Sequence, residues 1–141
     1  MASVKATNIT NLDASPSVLA NAGDVHGSVR VFKDTYEASS LASGSDITIA
    51  RLPKGARVMD IHLKADALGN SVTLAVGDSA TADRYISATA MNTGDKQLSL
   101  SSDGAIASIG YEIGDVTDIL VTTGGATASG TITSVVYYTV S

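Results

Sequence analysis

The sequence predicts an all-β protein: a two-sheet antiparallel sandwich, a jelly roll of about eight strands, with an extended N-terminal arm. Three observations predict it. Apolar side chains recur at every second position through most of the chain beyond residue 26. Corners of Gly, Asp and Asn interrupt them at intervals of roughly 8–12 residues, the spacing of a sandwich. The apolar content, 44% of 141 residues, comes from Ala, Val, Ile and Leu, with aromatic residues at 4% and no Trp. Such side chains suit thin strands better than helices.

Residues 1–26 form the arm. Asn8, Thr10, Asn11, Asp13, Ser15, Pro16 and Ser17 leave too few apolar contacts to fix a packed element. The arm is expected to be extended and ordered by what it lies against, with a short contact or a turn of helix at Val18-Leu19-Ala20.

Residues 27–141 form the sandwich. Its first strand runs from Gly27 to about Glu37, with Val29 and Val31 alternating with Arg30 and Phe32. Ile47 and Ile49 alternate with Thr48 and Ala50 in the second. The clearest alternation sets Met59, Ile61, Leu63 and Ala65 on one face against Asp60, His62 and Lys64 on the other, a strand with one wet side. Leu68-Gly69-Asn70 reads as a turn, followed by Val72, Leu74 and Val76 in a strand that ends at Gly77-Asp78. Strands follow at Arg84 to Ala90 and Gln97 to Leu100, with a turn at Ser102-Asp103-Gly104 and a short segment around Ile106 and Ile109. Ile119-Leu120-Val121 begins a strand that stops at Gly124-Gly125. The last strand, Thr131 to Val140, carries Ile132, Val135, Val136, Tyr137 and Tyr138 across both faces, as a strand deep in a sheet does. Ser79 to Met91 is the one window open to a helix, and Tyr85, Ile86 and its Thr residues favour strand.

A net charge of −5 argues against direct nucleic-acid binding, which needs a basic face to displace counterions. Charged residues at 16%, against about 25% in typical domains, suit a surface packed against other proteins. Without Cys there is no disulfide, no thiolate metal site and no Cys nucleophile. Met1-Ala2-Ser3-Val4-Lys5 opens no apolar signal segment, and no apolar run is long enough to span a membrane, so neither secretion nor a membrane is expected.

Candidate chemistry is sparse. Asp60 and His62 pair a carboxylate with a base at i, i+2, and the same spacing places ordinary solvated neighbours on one strand face. His26 stands alone. Asp24, Asp46, Asp66, Asp78, Asp95, Asp103 and Asp115 sit at turns and strand ends, where Asp bonds the local backbone. No calcium-binding loop, nucleophile elbow or phosphate loop occurs. No enzyme, cofactor or metal is expected. Arg51, Lys54 and Arg57 gather around Leu52-Pro53-Lys54-Gly55-Ala56 and are candidates for docking an acidic partner, as a solvated loop is the plain alternative. Asn11, Leu12, Val18 and Leu19 of the arm are the other candidate partner contacts.

The segment Asp46-Ile47-Thr48-Ile49-Ala50-Arg51-Leu52-Pro53-Lys54-Gly55-Ala56-Arg57-Val58, then Asp66-Ala67-Leu68-Gly69, Thr73-Leu74-Ala75-Val76-Gly77-Asp78 and Asp83 to Ile86, resembles the capsid cement (decoration) proteins of tailed phages. Asn11-Leu12-Asp13-Ala14 is similar to their opening. The likeness covers residues 27–90 well and the rest loosely, and by size and pattern the chain is most similar to the member from a short-tailed Bordetella phage. The resemblance implies a virion protein, assembled in the bacterial cytoplasm. It would be a homodimer on the outer surface of the head that clamps neighbouring major capsid protein subunits. It carries over no catalytic residue. A receptor- or carbohydrate-binding sandwich of a head fibre or tail tip is the second reading, with Tyr85 or Tyr111 as the ring a sugar would stack on.

Overall fold

Alternating side chains build nine strands among the described residues of the structure, a computed structural model that describes residues 2–19 and 22–140. In chain order these are β1 (Arg30–Leu41), β2 (Asp46–Leu52), β3 (Ala56–Ala65), β4 (Thr73–Gly77), β5 (Ile86–Ala90), β6 (Lys96–Ser99), β7 (Tyr111–Glu112), β8 (Thr117–Gly124) and β9 (Ala128–Val140). Two short helices, α1 (Thr7–Leu12) and α2 (Leu100–Asp103), and a 3-10 turn at Ile106–Ser108 complete the set.

The strands form two antiparallel sheets, as the sequence predicts. The five-stranded sheet has the order β1-β9-β3-β6, with the two-residue β7 paired to the far end of β3. The four-stranded sheet has the order β2-β8-β4-β5. Between them lies one apolar core. Ile47, Leu52, Leu74, Val76, Ile119 and Val121 of the second sheet meet Val58, Ile61, Leu63, Ile132 and Val136 of the first, all buried. Leu68, assigned to a turn by the sequence, is buried as well, and holds its loop to the core through an amide bond to the Met91 carbonyl.

Several elements differ from the sequence expectation. The pairing of β3 with β9 skips a residue between Val58 and Asp60, so Val58 takes the inward place expected for Met59, which is half-buried. A similar shift between Thr48 and Ala50 turns Ile49 and Ala50 both into the core. β1 begins at Arg30, not Gly27, and its inward residues are Phe32 and Ala38. Val29 and Val31 are 61% and 55% exposed. The register Val31↔Tyr137 fixes this, because it sets Val31 on the sheet's outer side. The Ser102-Asp103-Gly104 turn is part of α2, whose first amides are served by Ser99 Oγ, which accepts from Ser102 N at 3.1 Å. Ser79 to Met91 is loop and β5, not helix.

The arm also differs. Where extended chain was expected, Thr7–Leu12 is helical, with Thr10 N donating to Ala6 O at 2.9 Å and Thr10 Oγ1 to the same carbonyl at 3.1 Å. Val18 and Leu19 are not helical, and Ala20 lies outside the described residues.

Gly125 is among the glycines that packing demands. Gly125 has φ +80°, and a Cβ there would stand 1.8 Å from the Ser71 carbonyl oxygen, so the β8–β9 loop closes only without a side chain.

The core contacts make a stability test direct. Leu63→Ala, at a fully buried site on β3, is expected to cost about 2–5 kcal/mol in urea unfolding, while Val29→Ala on the open surface should change stability by less than about 0.5 kcal/mol.

Candidate functional site: the outer face of the five-stranded sheet

The candidate site rests on the ladder of the five-stranded sheet. Even-numbered residues of β9 from Ile132 to Val140 point into the core. Thr131, Thr133, Val135, Tyr137 and Thr139 therefore point out. Cross-strand register then lays out the outer face in rows. Glu37 lies beside Thr131; Thr35 beside Thr133, Lys64 and Gln97; Lys33 beside Val135, His62 and Ser99. Val31 lies beside Tyr137 and Asp60, and Thr139 beside Arg57.

The last row is covered by the root of the arm. Thr139 Oγ1 donates to Gly23 O at 2.8 Å and is buried, although its side chain leaves the core. Arg57 is bound by Asp24 at 3.5 Å, by Glu112 at 3.1 Å and by the Gly110 carbonyl at 3.2 Å, and only 18% of its side chain is exposed. The arm thus crosses this face at the β7 end. Beyond the crossing, residues 2–10 and 13–19 are exposed apart from Asn8, whose side chain is not described.

Apolar exposure follows the arm. Of ten large apolar side chains exposed among the described residues, seven precede residue 37: Val4, Ile9, Val18, Leu19, Val29, Val31 and Tyr36. That bias concentrates the exposed apolar surface of the described residues in the arm and along the start of β1.

The candidate contacts divide accordingly. Val18 and Leu19 are exposed, at 52% and 85%, and Asn11 and Leu12 are half-buried. The Asn11 carbonyl is occupied by the Val18 amide at 2.8 Å. Lys54 is exposed in the β2–β3 turn. Arg51, Lys54 and Arg57 do not act as one cluster. Arg51 lies on the other sheet, bidentate to its cross-strand neighbour Asp118 at 2.6 and 3.1 Å, and Arg57 is enclosed as above. The Asp118 bond raises the Arg51 guanidinium from its ordinary value and lowers the Asp118 carboxyl. Adjacency in sequence across a hairpin that changes sheet misled this grouping. The arm's anchor on Thr139 was missed, and nothing in the alternation of Thr131, Thr133, Val135 and Tyr137 signals a bond to Gly23.

His62 Nε2 lies 2.8 Å from Asp60 Oδ2, and the His62 ring meets the Tyr137 edge-on at 5.5 Å. Ser101 Oγ donates to the same Asp60 oxygen at 3.2 Å. Serine and histidine both bond the carboxylate and not each other, so no serine–base relay is assembled. Among the described residues no group of three or more His, Asp or Glu side chains is placed to hold a metal. No helix is long and apolar enough to cross a membrane among those residues.

Tyr85 and Tyr111 form an inner brace. Tyr85 is fully buried, and burial pushes its hydroxyl far above its ordinary value. Tyr111 presents its ring to Arg84 at 4.4 Å and to the Tyr85 ring at 6.1 Å. The platform that a sugar would need is therefore taken by Arg84. Arg84 Nε in turn donates to Asp78 Oδ2 at 2.7 Å, and the Ala80 and Thr81 amides bond Asp78 Oδ1 at 3.1 and 2.8 Å.

Comparison with known proteins follows from this geometry. The chain shares its fold with proteins of phage capsids. A chain of the cyanophage Pam1 capsid asymmetric unit superposes with a TM-score of 0.67 at 24% identity, over 92% of this chain and 97% of that one. A chain of the capsid of Ralstonia phage GP4 gives 0.58 at 18% identity over 82% and 84%. One from the acidic-stable capsid of Helicobacter pylori bacteriophage KHP30 gives 0.61 at 15% identity over 81% and 90%. No family model and no curated protein matches the sequence.

The Asp78 brace yields a pH test. Burial raises the Asp78 carboxyl, but the Arg84 hydrogen bond, the two amides and the Arg84 charge outweigh it, and the net shift is downward. A carboxylate lowered on folding stabilises above the unfolded value, and that contribution is lost as pH falls through the folded one. Asp78→Asn should therefore destabilise by about 1.5–3 kcal/mol at pH 7. The gap to the parent should close below about pH 4, as read from thermal unfolding across pH.

Proposed function

We propose that this chain is a structural protein of a phage virion, a cement or decoration protein bound to the outer surface of the head. There it would bridge neighbouring major capsid protein subunits and hold the shell against the pressure of packed DNA. The observation that carries the reading is the sandwich shared with capsid chains over nearly its whole length, together with the adhesive face and arm just described. The strand order supports it further. Chain order crosses between the sheets at most steps, with β4 and β5 consecutive in one and β6 and β7 in the other, so that β1-β9-β3-β6 faces β2-β8-β4-β5, and we read it as a jelly roll. Residues 1–26 act as the arm and 27–141 as the slab in this reading, with Val18 and Leu19 among the contacts. A homodimer is part of the same proposal, as is likeness to the Bordetella-phage cement protein.

The physics is mass action. A protein that binds the closed shell and not separated subunits stabilises the shell in proportion to its occupancy. A rigid slab suffers little entropy loss on binding, and the arm adds contacts by ordering against the partner.

Two outcomes test this. Purified chain should bind heads of its phage saturably, at a fixed ratio to capsid subunits, and heads lacking it should release DNA at lower temperature. Failure to bind heads at any ratio refutes the proposal. Deleting residues 2–19, whose side chains touch little of the slab, should leave the thermal midpoint of the slab within a few degrees while weakening head binding at least tenfold. The dimer, held by apolar sheet surface, should persist from low to high salt in sizing chromatography.

A further inference from the structure

β1 ends the five-stranded sheet, and among the described residues only its β9 side is paired. Its other edge presents backbone donors and acceptors along Arg30 to Ala38, where the ladder with β9 runs without a shift. Side chains alternate there. Phe32, Asp34, Tyr36 and Ala38 lie on the sandwich side, and Val31, Lys33, Thr35 and Glu37 on the outer side. Val31 and Tyr36 are exposed apolar groups beside this open edge. Lys33 and Glu37 form no ion pair among the described residues, and Glu37 keeps its charge while accepting the Thr131 hydroxyl.

The charge pattern of this edge is complementary to itself. Two copies joined edge to edge by a two-fold axis pair antiparallel, and residues opposite each other share a face, so one residue sits on the axis opposite itself. Three such registers pair seven or more of the nine residues Arg30 to Ala38. Centred on Lys33, the axis sets Lys33 against Lys33; centred on Asp34, it sets Asp34 against Asp34. Centred on Thr35, it sets threonine against threonine, with Lys33 opposite Glu37 on either side, Asp34 opposite Tyr36 and Phe32 opposite Ala38. Asp34 keeps its charge while accepting the Thr35 amide at 2.8 Å. Its two copies still repel in this register, as diagonal neighbours roughly 7–8 Å apart. The two Lys33–Glu37 pairs stand directly opposite, at about 4.5–5.5 Å, and outweigh that one repulsion.

We infer that β1 is the edge by which this chain pairs with a second copy, antiparallel about an axis through Thr35, so that the five-stranded sheet continues from one copy into the other. The inference rests on the homodimer of the proposed function and deepens it by naming the surface. Self-complementarity selects the occupant. Of the three registers, the one that keeps like charges from meeting face to face is also the one that sets unlike charges together. Another protein would need the same pattern reversed along its own strand, whereas a second copy supplies it by symmetry. A notch lined by Asp34, Tyr36, Ile47, Ile49 and Ile132 opens between the β1 and β2 edges beside the axis, and offers an apolar wall to Tyr36 of the second copy. Backbone pairing and these apolar groups supply the affinity, and the charges fix the register. A dimer built this way tolerates salt.

The test uses the full chain in head-free solution. The sequence has no Cys, so one introduced thiol reports the geometry. Thr35→Cys should cross-link to a dimer on oxidation, because residues opposite each other lie within disulfide reach. Glu37→Cys should not cross-link to itself, its two copies being displaced by roughly 13 Å along the strands; mixed with Lys33→Cys it should. In sedimentation, Lys33→Glu and Glu37→Lys should each weaken the dimer about tenfold or more, and the double swap should recover it to within about threefold. Circular dichroism of each variant should match the parent, since both side chains are exposed. A wild-type dimer that Thr35→Cys does not cross-link, or that both single reversals leave intact, joins elsewhere: the inference fails and the homodimer stands. A double swap as weak as the single reversals overturns it too. A wild-type chain that stays monomeric at every concentration overturns inference and homodimer together, and leaves head binding to decide the capsid role. If that monomer loses head binding through the single reversals, the edge takes a strand of a capsid subunit and the inference fails.

Discussion

The structure depends on the double pairing of β9. Its thirteen residues hydrogen-bond to β1 on one side and to β3 on the other, over nearly their full length. An interior strand must satisfy backbone groups along both edges and give each face something to touch. Ile132, Val136, Tyr138 and Val140 meet the core, and that fixes where Thr131, Thr133, Val135, Tyr137 and Thr139 must emerge. The composition of the outer face is therefore a consequence of core register. A slip of one residue would bury the threonines and expose the aliphatics, which is why the register is strongly held.

The edges are handled differently. β1 is twelve residues long and lies at the end of its sheet, a position that invites pairing with another chain. It carries Arg30, Lys33, Asp34 and Glu37, and the Asp34 carboxylate accepts the Thr35 amide at 2.8 Å. Charges along an edge discourage indiscriminate strand addition while leaving the face open.

Much of this was legible in the sequence, and the failures have physical causes. Two-residue periodicity located every strand of four residues or more, because burial on one side of a pleat leaves a mark at every second position. It could not locate the bulges. Met59 and Val58 are both apolar, and only the pairing with β9 decides which one turns inward. Nor could it show which side of β1 is wet, since Val31 and Phe32 are both apolar and the choice falls to Tyr137 and Val136 across the ladder. The helix Thr7–Leu12 was hidden by its composition. Thr and Asn are weak helix formers, and here local bonds from Thr10 to Ala6 outweigh that preference. For the site, the arm was visible as a polar segment with isolated aliphatics. Its anchor was not, because the bond between Gly23 and Thr139 joins residues more than a hundred positions apart.

That anchor fixes Gly23 and Asp24 over Thr139 and Arg57, so the arm root starts on the outer face of the five-stranded sheet. Arg57 matters here for an internal reason. By binding Asp24, Glu112 and the Gly110 carbonyl at once it ties arm root, β7 and β3 into one unit, so force on the arm passes into the sheet and not into a loop. The arm root is thereby tied to β3 and β9, the most heavily paired strands of the sheet.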